Sequence, residues 1–405
     1  MTKTKLYQIP AITLAGILII AMSLRAPITG IAPAIGLIRD SMHLSAPAVG
    51  MLITLPLLAF AAGSLGAPAL ARRIGIERSL FAAMMLLAFG VLVRSTGTSF
   101  CLFAGTAMAG AGISIGNVLL PSLLKRDFPQ RAAGLTAVYV LVLSVAASAA
   151  SMIAVPLAQI SASTWQFSSA MFVLFPLLAA LAWTPQLARP HAVLQHASGI
   201  SAHCVWRSPL AWHVTLYLGI NSFVFYVCIG WLPIILQDAG YSAQRAGTLH
   251  GLLQLMSAAP ALVLGPLLRR LPDQRGLGGL SALLSLAGLV GLAAWPRWND
   301  IWVGLLGLGT GAGVMLGLAF VTLRTTGPQF AAALSSMAQC VGYLLAAGGP
   351  VLIGRLHDAT GGWRTPLLLC ALLSIAMAVF ARSAGRNAHV EHGLPCRLSG
   401  AANAA

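Results

Sequence analysis

Long runs of apolar residues, separated by short polar and basic segments, fill most of the chain between residues 9 and 381. A helix needs about 20 mostly apolar residues to cross a membrane, because each residue rises about 1.5 Å through a hydrocarbon core about 30 Å thick. Twelve runs meet or approach that length, at residues 9–37, 47–71, 79–94, 100–124, 132–158, 167–185, 209–236, 246–268, 277–295, 301–323, 331–354 and 363–381. The pattern predicts an all-α membrane protein with twelve spans.

The longest polar connection, residues 186–208, divides these spans six and six. We therefore expect an N-terminal six-helix bundle at 1–185, a cytoplasmic linker at 186–208, a C-terminal six-helix bundle at 209–382 and a disordered cytoplasmic tail at 383–405. The linker histidines His191, His196 and His203 lack the tight spacing of metal ligands, which favours a flexible, solvated connection.

The two halves resemble each other. Several short motifs recur at offsets between 197 and 201 residues: Gly50 and Gly247, Arg72-Arg73 and Arg269-Arg270, Gly110-Ala111-Gly112 and Gly311-Ala312-Gly313, Gly116 and Gly317, Pro129-Gln130 and Pro328-Gln329, Trp165 and Trp363. Six helices per repeat keep both halves in the same orientation, as in transporters built from parallel repeats. Such transporters bind their substrate near mid-membrane, between the repeats.

Composition agrees with a membrane protein. Hydrophobic residues make up 58% of the chain and charged residues 8%, with a mean hydropathy of +0.87, whereas soluble domains carry roughly 25% charged residues. The net charge of +16 lies in small clusters between apolar runs, such as Lys125-Arg126. This distribution is typical of cytoplasmic loops and not of a nucleic-acid surface, so we expect the lipid bilayer as a partner and no nucleic acid.

The distribution of lysine and arginine also predicts orientation. With the N-terminus in the cytoplasm, 17 basic residues fall in cytoplasmic segments and 6 on the opposite side, Arg94 among the 6. Positive charge favours the cytoplasm, so both termini are expected there. The first apolar run continues past Arg25 to Leu37 without a clear cleavage site, which indicates a retained span and not a signal peptide.

Arg25 is the most informative residue, because it lies near the centre of the first span. An arginine at that depth costs at least about 2.5–3.5 kcal/mol and usually faces a cavity or a partner. It could pair only with backbone carbonyls, or it could anchor a nitro, carboxylate-like or anionic group, whose paired oxygens match a planar guanidinium. The eight acidic residues all map to loops, span ends or the tail, so Arg25 has no obvious counter-ion and the spans offer no carboxylate for a proton relay.

Large polar side chains near mid-span are further candidates. Asn221, Gln254 and Gln339, with Asn117, are predicted to line a cavity, although polar residues also join helices to one another. His250 could couple protons or could form an ordinary interfacial hydrogen bond. The sequence contains no nucleophile–base pair, phosphate-binding loop or metal cluster, so we expect neither an enzyme nor a cofactor or metal.

Specific segments resemble the cyanate-permease branch of the major facilitator superfamily. They are Leu24-Arg25-Ala26-Pro27 followed by Pro33, Thr54 to Phe60, Glu77 to Ala83, Gly116 to Pro121 continuing into Lys125 to Pro129, Trp206 to Trp212, and Leu249 to Leu255. The resemblance runs from the first span to about Arg386. One departure concerns the loop after the second span, Arg72 to Arg78, which lacks the aspartate that many members carry there. The gating ion pair of those members therefore does not transfer to this chain.

The resemblance implies the major-facilitator fold in a bacterial inner membrane, and export of 2-nitroimidazole or a similar small nitro-heterocycle by a monomer. Arg25 would then meet the nitro oxygens, the amides of Asn221, Gln254 and Gln339 the ring nitrogens, and Tyr343, Tyr226 or Trp231 would stack on the ring. Two alternatives stay open: uptake of cyanate or another small anion, and a membrane sensor that does not transport.

Overall fold

The computed structural model describes residues 3–160, 164–188, 205–326 and 328–391, and the part of the chain it describes contains helices and no strands. Twelve segments are long and apolar enough to cross a membrane, which confirms the predicted spans. In chain order, spans 2 to 5 are Ala46–Ile74, Ile76–Arg94, Ser99–Asp127 and Ala132–Ile160, span 7 is Pro209–Asp238, and spans 9 to 12 are Arg275–Ala294, Asn299–Leu323, Pro328–Thr360 and Arg364–Ala384.

The remaining three spans are broken helices. Span 1 consists of Lys3–Ser23, Ala26–Thr29 and Ile35–Met42, with a 3₁₀ turn at Ala32–Ala34. Span 6 is divided into Thr164–Met171 and Leu174–Trp183, and span 8 into Ala243–Ala258 and Pro260–Arg270. The second piece of span 8 begins at Pro260, because proline cannot donate the hydrogen bond that continues a helix.

Glycines bring helices together within each bundle. A Cβ added at Gly90 of span 3 would lie 2.5 Å from the backbone nitrogen of Ala109 on span 4. The equivalent Gly288 of span 9 lies equally close to Leu306 on span 10, where an added Cβ would be 2.7 Å from the Leu306 Cβ. The repeated glycines therefore mark helix–helix contacts, as small residues commonly do in membranes.

Two helix pairs join the bundles. Span 2 packs along span 11, where Thr54 donates to the backbone oxygen of Ala347 at 2.7 Å. Span 5 packs along span 8, where Gly247 and Gly251 lie against the backbone oxygens of Ser151 and Ser148. We call the end of the molecule where residues 186–208 connect the bundles the linker end, and the other end the distal end. These contacts lie between mid-membrane and the distal end.

The linker and tail differ in how much the structure describes. Most of the predicted linker, including its three histidines, lies outside the described residues. The predicted tail was expected to be disordered from 383, but residues 383–391 are described and pack on the C-terminal bundle. Val390 is buried and donates from its backbone nitrogen to the Arg324 oxygen at 2.8 Å, because burying this side chain offsets the cost of ordering the segment. Residues 392–405 lie outside the described part.

Candidate functional site

The break in span 1 presents Arg25. The first helix ends at Ser23, and the next short helix begins at Ala26 with Pro27 in its first turn, so the turn at Leu24 and Arg25 lies between two pieces of the span. Irregular backbone at membrane depth is tolerated only where protein or a water-filled cavity surrounds it. The Arg25 carbonyl accepts from both the backbone nitrogen and the hydroxyl of Thr29, at 3.0 Å each. Pro27, which has no backbone N–H, thus accompanies the interruption of the helix next to the half-buried Arg25.

The Arg25 side chain crosses from the N-terminal to the C-terminal bundle. Its Nη1 donates to Oε1 of Gln254 on span 8 at 3.0 Å. Its guanidinium carbon lies 5.1 Å from the ring centroid of Phe225 on span 7, within the range of a cation–π interaction. Among the described residues, no carboxylate forms an ion pair with Arg25. The guanidinium is therefore held by a neutral amide and an aromatic face and keeps its positive charge uncompensated.

Gln254 is only partly satisfied. The side chain is fully buried, its oxygen accepts from Arg25, and its Nε2 has no hydrogen-bond partner among the described residues. An unsatisfied buried donor costs about 1–3 kcal/mol. A ligand acceptor next to Arg25 would remove that cost, so the pair offers donors from both bundles to one small molecule.

Aromatic rings from three spans form a cluster in the same region. Phe60 of span 2, Tyr226 of span 7 and Tyr343 of span 11 have ring centroids 5.7 to 6.4 Å apart and tilted against one another. Arg25 lies within electrostatic reach of Tyr226, Tyr343 and also Tyr139 of span 5. We call Phe60, Tyr226 and Tyr343 the aromatic cluster. Such tilted rings can receive a flat ring edge-on or face-on.

The structure brings together Arg25, Gln254, Tyr226 and Tyr343, which the sequence proposed as one site. Phe60 and Tyr139 were missed, because aromatic residues in apolar runs resemble ordinary core residues. The signal that could have found Tyr139 is its phenol, one of only six tyrosines in the chain.

Two other candidates are engaged between helices of the C-terminal bundle. The Asn221 amide is fully buried and donates to the Thr310 backbone oxygen at 3.0 Å. The indole of Trp231 donates to the Pro350 oxygen at 3.0 Å and packs on Trp363, with ring centroids 5.3 Å apart. These contacts give both residues a helix-joining role, and none of them connects either residue to Arg25.

The remaining amides lie half-buried. Gln339 donates to the hydroxyl of Ser335, one turn earlier on span 11, at 2.8 Å, and Tyr343 follows one turn later. Asn117 follows Gly116, whose added Cβ would meet the Leu24 side chain at 2.4 Å. Asn117 is therefore at the same depth as the break in span 1.

His250 lies in the seam between the bundles. Its ring is fully buried, and Nδ1 is 3.0 Å from the hydroxyl of Ser151 on span 5. The ring also faces the backbone of Ile229, yet its Nε2 forms no well-aligned hydrogen bond among the described residues. His250 therefore joins spans 5 and 8 one turn away from Gln254, within electrostatic reach of Arg25.

Arg94 is the last residue of the predicted third span and is counted with the basic residues of the distal side, yet its side chain is fully buried. It forms the last turn of span 3, with 0% exposure of the residue. An arginine at the end of a span normally reaches water, so its position in the sequence does not indicate burial.

A cavity lies between Arg94 and the aromatic cluster. Its walls come from spans 1, 2, 3, 4 and 7, and its volume is about 40 Å³. Apart from Arg94, the polar side chains that the described residues contribute to the wall are Thr106 and Tyr226. Tyr226 therefore borders both this cavity and the surroundings of Arg25.

An ion-pair cluster occupies the linker end of the N-terminal bundle. Arg126 of span 4 donates to Glu77 at 2.6 Å and to Asp127 at 2.7 Å, and Glu77 is buried at the start of span 3. Although the loop after span 2 lacks the aspartate that many family members carry, this end of the bundle therefore still contains arginine–carboxylate ion pairs. These groups lie at the linker end, apart from Arg25 in the middle of its span.

Comparisons with known proteins place these features in context. A family model described as Major Facilitator Superfamily matches residues 15–350. The chain is 50% identical to the 2-nitroimidazole transporter of Escherichia coli (strain K12) over 380 residues, covering 94% of this chain and 96% of that protein. It is 27% identical to the cyanate transport protein CynX of the same strain over 365 residues, covering 90% and 94%.

A solved structure shares the architecture. A bacterial homologue of the human lysosomal transporter Spinster, in an inward-facing and unoccupied conformation, matches with a TM-score of 0.77 at 15% sequence identity. The match covers 93% of this chain and 97% of that one. At this identity it supports the fold and nothing finer.

Proposed function

The chain belongs to the Major Facilitator Superfamily, with cyanate-permease-like relatives, and on that premise we propose that this transporter exports small planar nitro-heterocycles, with 2-nitroimidazole as the reference substrate. Members of the family bind small molecules within the membrane, and the relatives and the fold are those of bacterial multi-pass transporters and not of enzymes. The substrate and the direction of transport are the proposal.

Arg25 is the observation that carries this proposal. It joins both bundles through Gln254 and Phe225, and it faces no carboxylate among the described residues. A nitro group presents two oxygens in one plane, and the guanidinium presents donors in the same geometry. The nitro group of the substrate would be the electron-rich partner of the Arg25 guanidinium.

The surroundings of Arg25 support a flat aromatic substrate. The Nε2 donor of Gln254 is free to bind an acceptor on a heterocycle, and the aromatic cluster offers apolar faces and phenol groups beside it. A ring contacting Tyr226 or Tyr343 gains about 0.5–1.5 kcal/mol beyond the burial of its surface. Gln339 and Asn117 remain proposed contacts, and Asn221 and Trp231 are proposed to act indirectly through helix packing.

Export is our proposal for the direction of transport. We propose that both termini lie in the cytoplasm, because basic residues concentrate at the linker end. The bundles touch from mid-membrane to the distal end. In export, the solute would enter from the linker end and leave when the bundles rock about the central site. One chain provides every residue of the site, which supports a working monomer.

The test replaces Arg25 with Ala and with Lys. Both variants should abolish the protection of cells against 2-nitroimidazole while membrane expression is kept, because Lys retains the charge but not the planar fork. Everted membrane vesicles should accumulate 2-nitroimidazole only with the wild-type protein. Full protection by Arg25→Ala would remove this residue from the site.

Cyanate uptake is the second candidate, supported by the similarity to CynX over most of the chain. A small linear anion would also bind Arg25 but would not use the aromatic cluster. Accumulation of cyanate by intact cells, without protection against 2-nitroimidazole, would favour uptake. Failure of both transport assays would favour a sensor that does not transport.

A further inference from the structure

Arg94 is buried without a compensating charge. Its Nε donates to the hydroxyl of Ser169 on span 6 at 2.9 Å, and its Nη2 has no hydrogen-bond partner among the described residues. No carboxylate in that part of the chain forms an ion pair with it. A buried charge without a partner is costly, and such residues inside membranes commonly mark a substrate or ion pathway.

The fold itself does not require an arginine at this position. Gly90 and Gly288 make equivalent helix contacts in the two repeats, and Arg94 follows Gly90 by four residues. The residue four positions after Gly288 is Leu292, which is buried with 6% exposure. The same packing position is thus filled by an apolar side chain in the other bundle, which argues against a purely structural reason for Arg94.

The cavity connects Arg94 with the central site. Ile28, Ile31 and Ile35 of span 1 line it one after another on the distal side of Arg25, and Tyr226 borders it at its central end. Its open volume of about 40 Å³ equals roughly three water-sized groups. Among the described residues that line the cavity, Arg94 alone is charged, so it is the strongest attraction for an electron-rich group in this space.

We propose that Arg94 and this cavity form a second binding site for a group with paired oxygens, either nitro or carboxylate. For the transported solute the inference rests on the proposed function: the substrate's paired-oxygen group passes from Arg25 to Arg94 when the distal end opens. The existence of the oxyanion site does not depend on that function.

Nitrate, a planar oxyanion, tests the site directly on the full-length purified protein. The apparent melting temperature is measured in sodium nitrate and in sodium fluoride at equal ionic strength. In Arg25→Leu protein, nitrate should raise the melting temperature above the fluoride value, because Arg94 still binds it. Adding Arg94→Leu, which copies Leu292 of the other repeat, should abolish that rise. Arg245→Leu, the same change at an exposed distal arginine, should leave it intact.

Two results would overturn the inference: no nitrate-specific rise in Arg25→Leu protein, or a rise that persists in the double variant. If Arg25→Leu protein does not fold, Arg25→Gln takes its place.

Exchange of 2-nitroimidazole across vesicles is the second measurement. Arg94→Leu alone should slow it at least tenfold, and an unchanged rate and KM would also count against the site. A wild-type protein that does not carry 2-nitroimidazole would refute the proposed substrate, while the nitrate result would still decide on Arg94.

Discussion

Gln254→Glu is the most revealing single change in the central site. It replaces the amide oxygen 3.0 Å from Arg25 with a carboxylate oxygen of nearly the same size and position. In the variant, the introduced carboxylate would be the counter-ion of Arg25. In the wild-type protein, a bound ligand would take that role. We expect the variant to be folded and at least as stable as the wild type, but unable to bind a nitro-heterocycle well.

The magnitude follows from the geometry. A full opposite charge about 4 Å away adds roughly 4 kcal/mol at an effective dielectric constant of about 20, and desolvating the carboxylate offsets part of this, at several kcal/mol per buried ion. If the carboxylate interacts with Arg25 more favourably than the amide by a net difference of about 1.4–2.8 kcal/mol, the affinity for a competing ligand would fall about tenfold to hundredfold. The affinity for 2-nitroimidazole should fall by that factor.

Equilibrium binding to purified protein and growth inhibition of expressing cells measure this effect. Gln274→Glu is the matched control, because Gln274 accepts from Arg324 in the C-terminal bundle, at the linker end. This control should keep the wild-type affinity. Unchanged binding in Gln254→Glu protein would refute the idea that Arg25 needs a ligand as its counter-ion.

Two further changes separate the site from the helix contacts around it. Gly251→Val introduces a Cβ 2.9 Å from the Ser148 backbone oxygen, which would push spans 5 and 8 apart. Hydrogen–deuterium exchange at the distal ends of these two spans should therefore rise. The control Gly279→Val, with open space around the added side chain, should leave the exchange unchanged. Asn221→Ala removes the hydrogen bond to Thr310 and should lower the free energy of unfolding by about 1 kcal/mol. The KM for 2-nitroimidazole should stay unchanged. An increased KM at normal stability would instead indicate that Asn221 contacts the substrate.

The twelve spans were predictable because a helix must be long and apolar enough to cross the hydrocarbon core of a membrane. Every apolar run long enough to cross a membrane became a span, and the recurring glycines predicted the paired halves. Arg25 was predictable for the same reason: a charge amid apolar residues requires an explanation. Its pairing with Gln254 joins residues 229 positions apart, and sequence spacing contains no information on that contact.

Helix rotation explains most of what the sequence missed. Span 7 is buried on nearly all sides, so no lipid-facing stripe fixes its rotation, and Asn221 and Tyr226 looked equally suited to a cavity. The structure directs Tyr226 to the cavity and Asn221 to span 10. Arg94 was missed because an arginine at a helix end usually reaches water, and only tertiary packing against spans 4 and 6 buries it.

A structure of the protein bound to 2-nitroimidazole tests the central claim most directly. The account predicts the nitro oxygens within hydrogen-bond distance of the Arg25 guanidinium, between the two bundles, with the ring against the aromatic cluster. A bound ligand elsewhere, with Arg25 still paired only to Gln254, would contradict it.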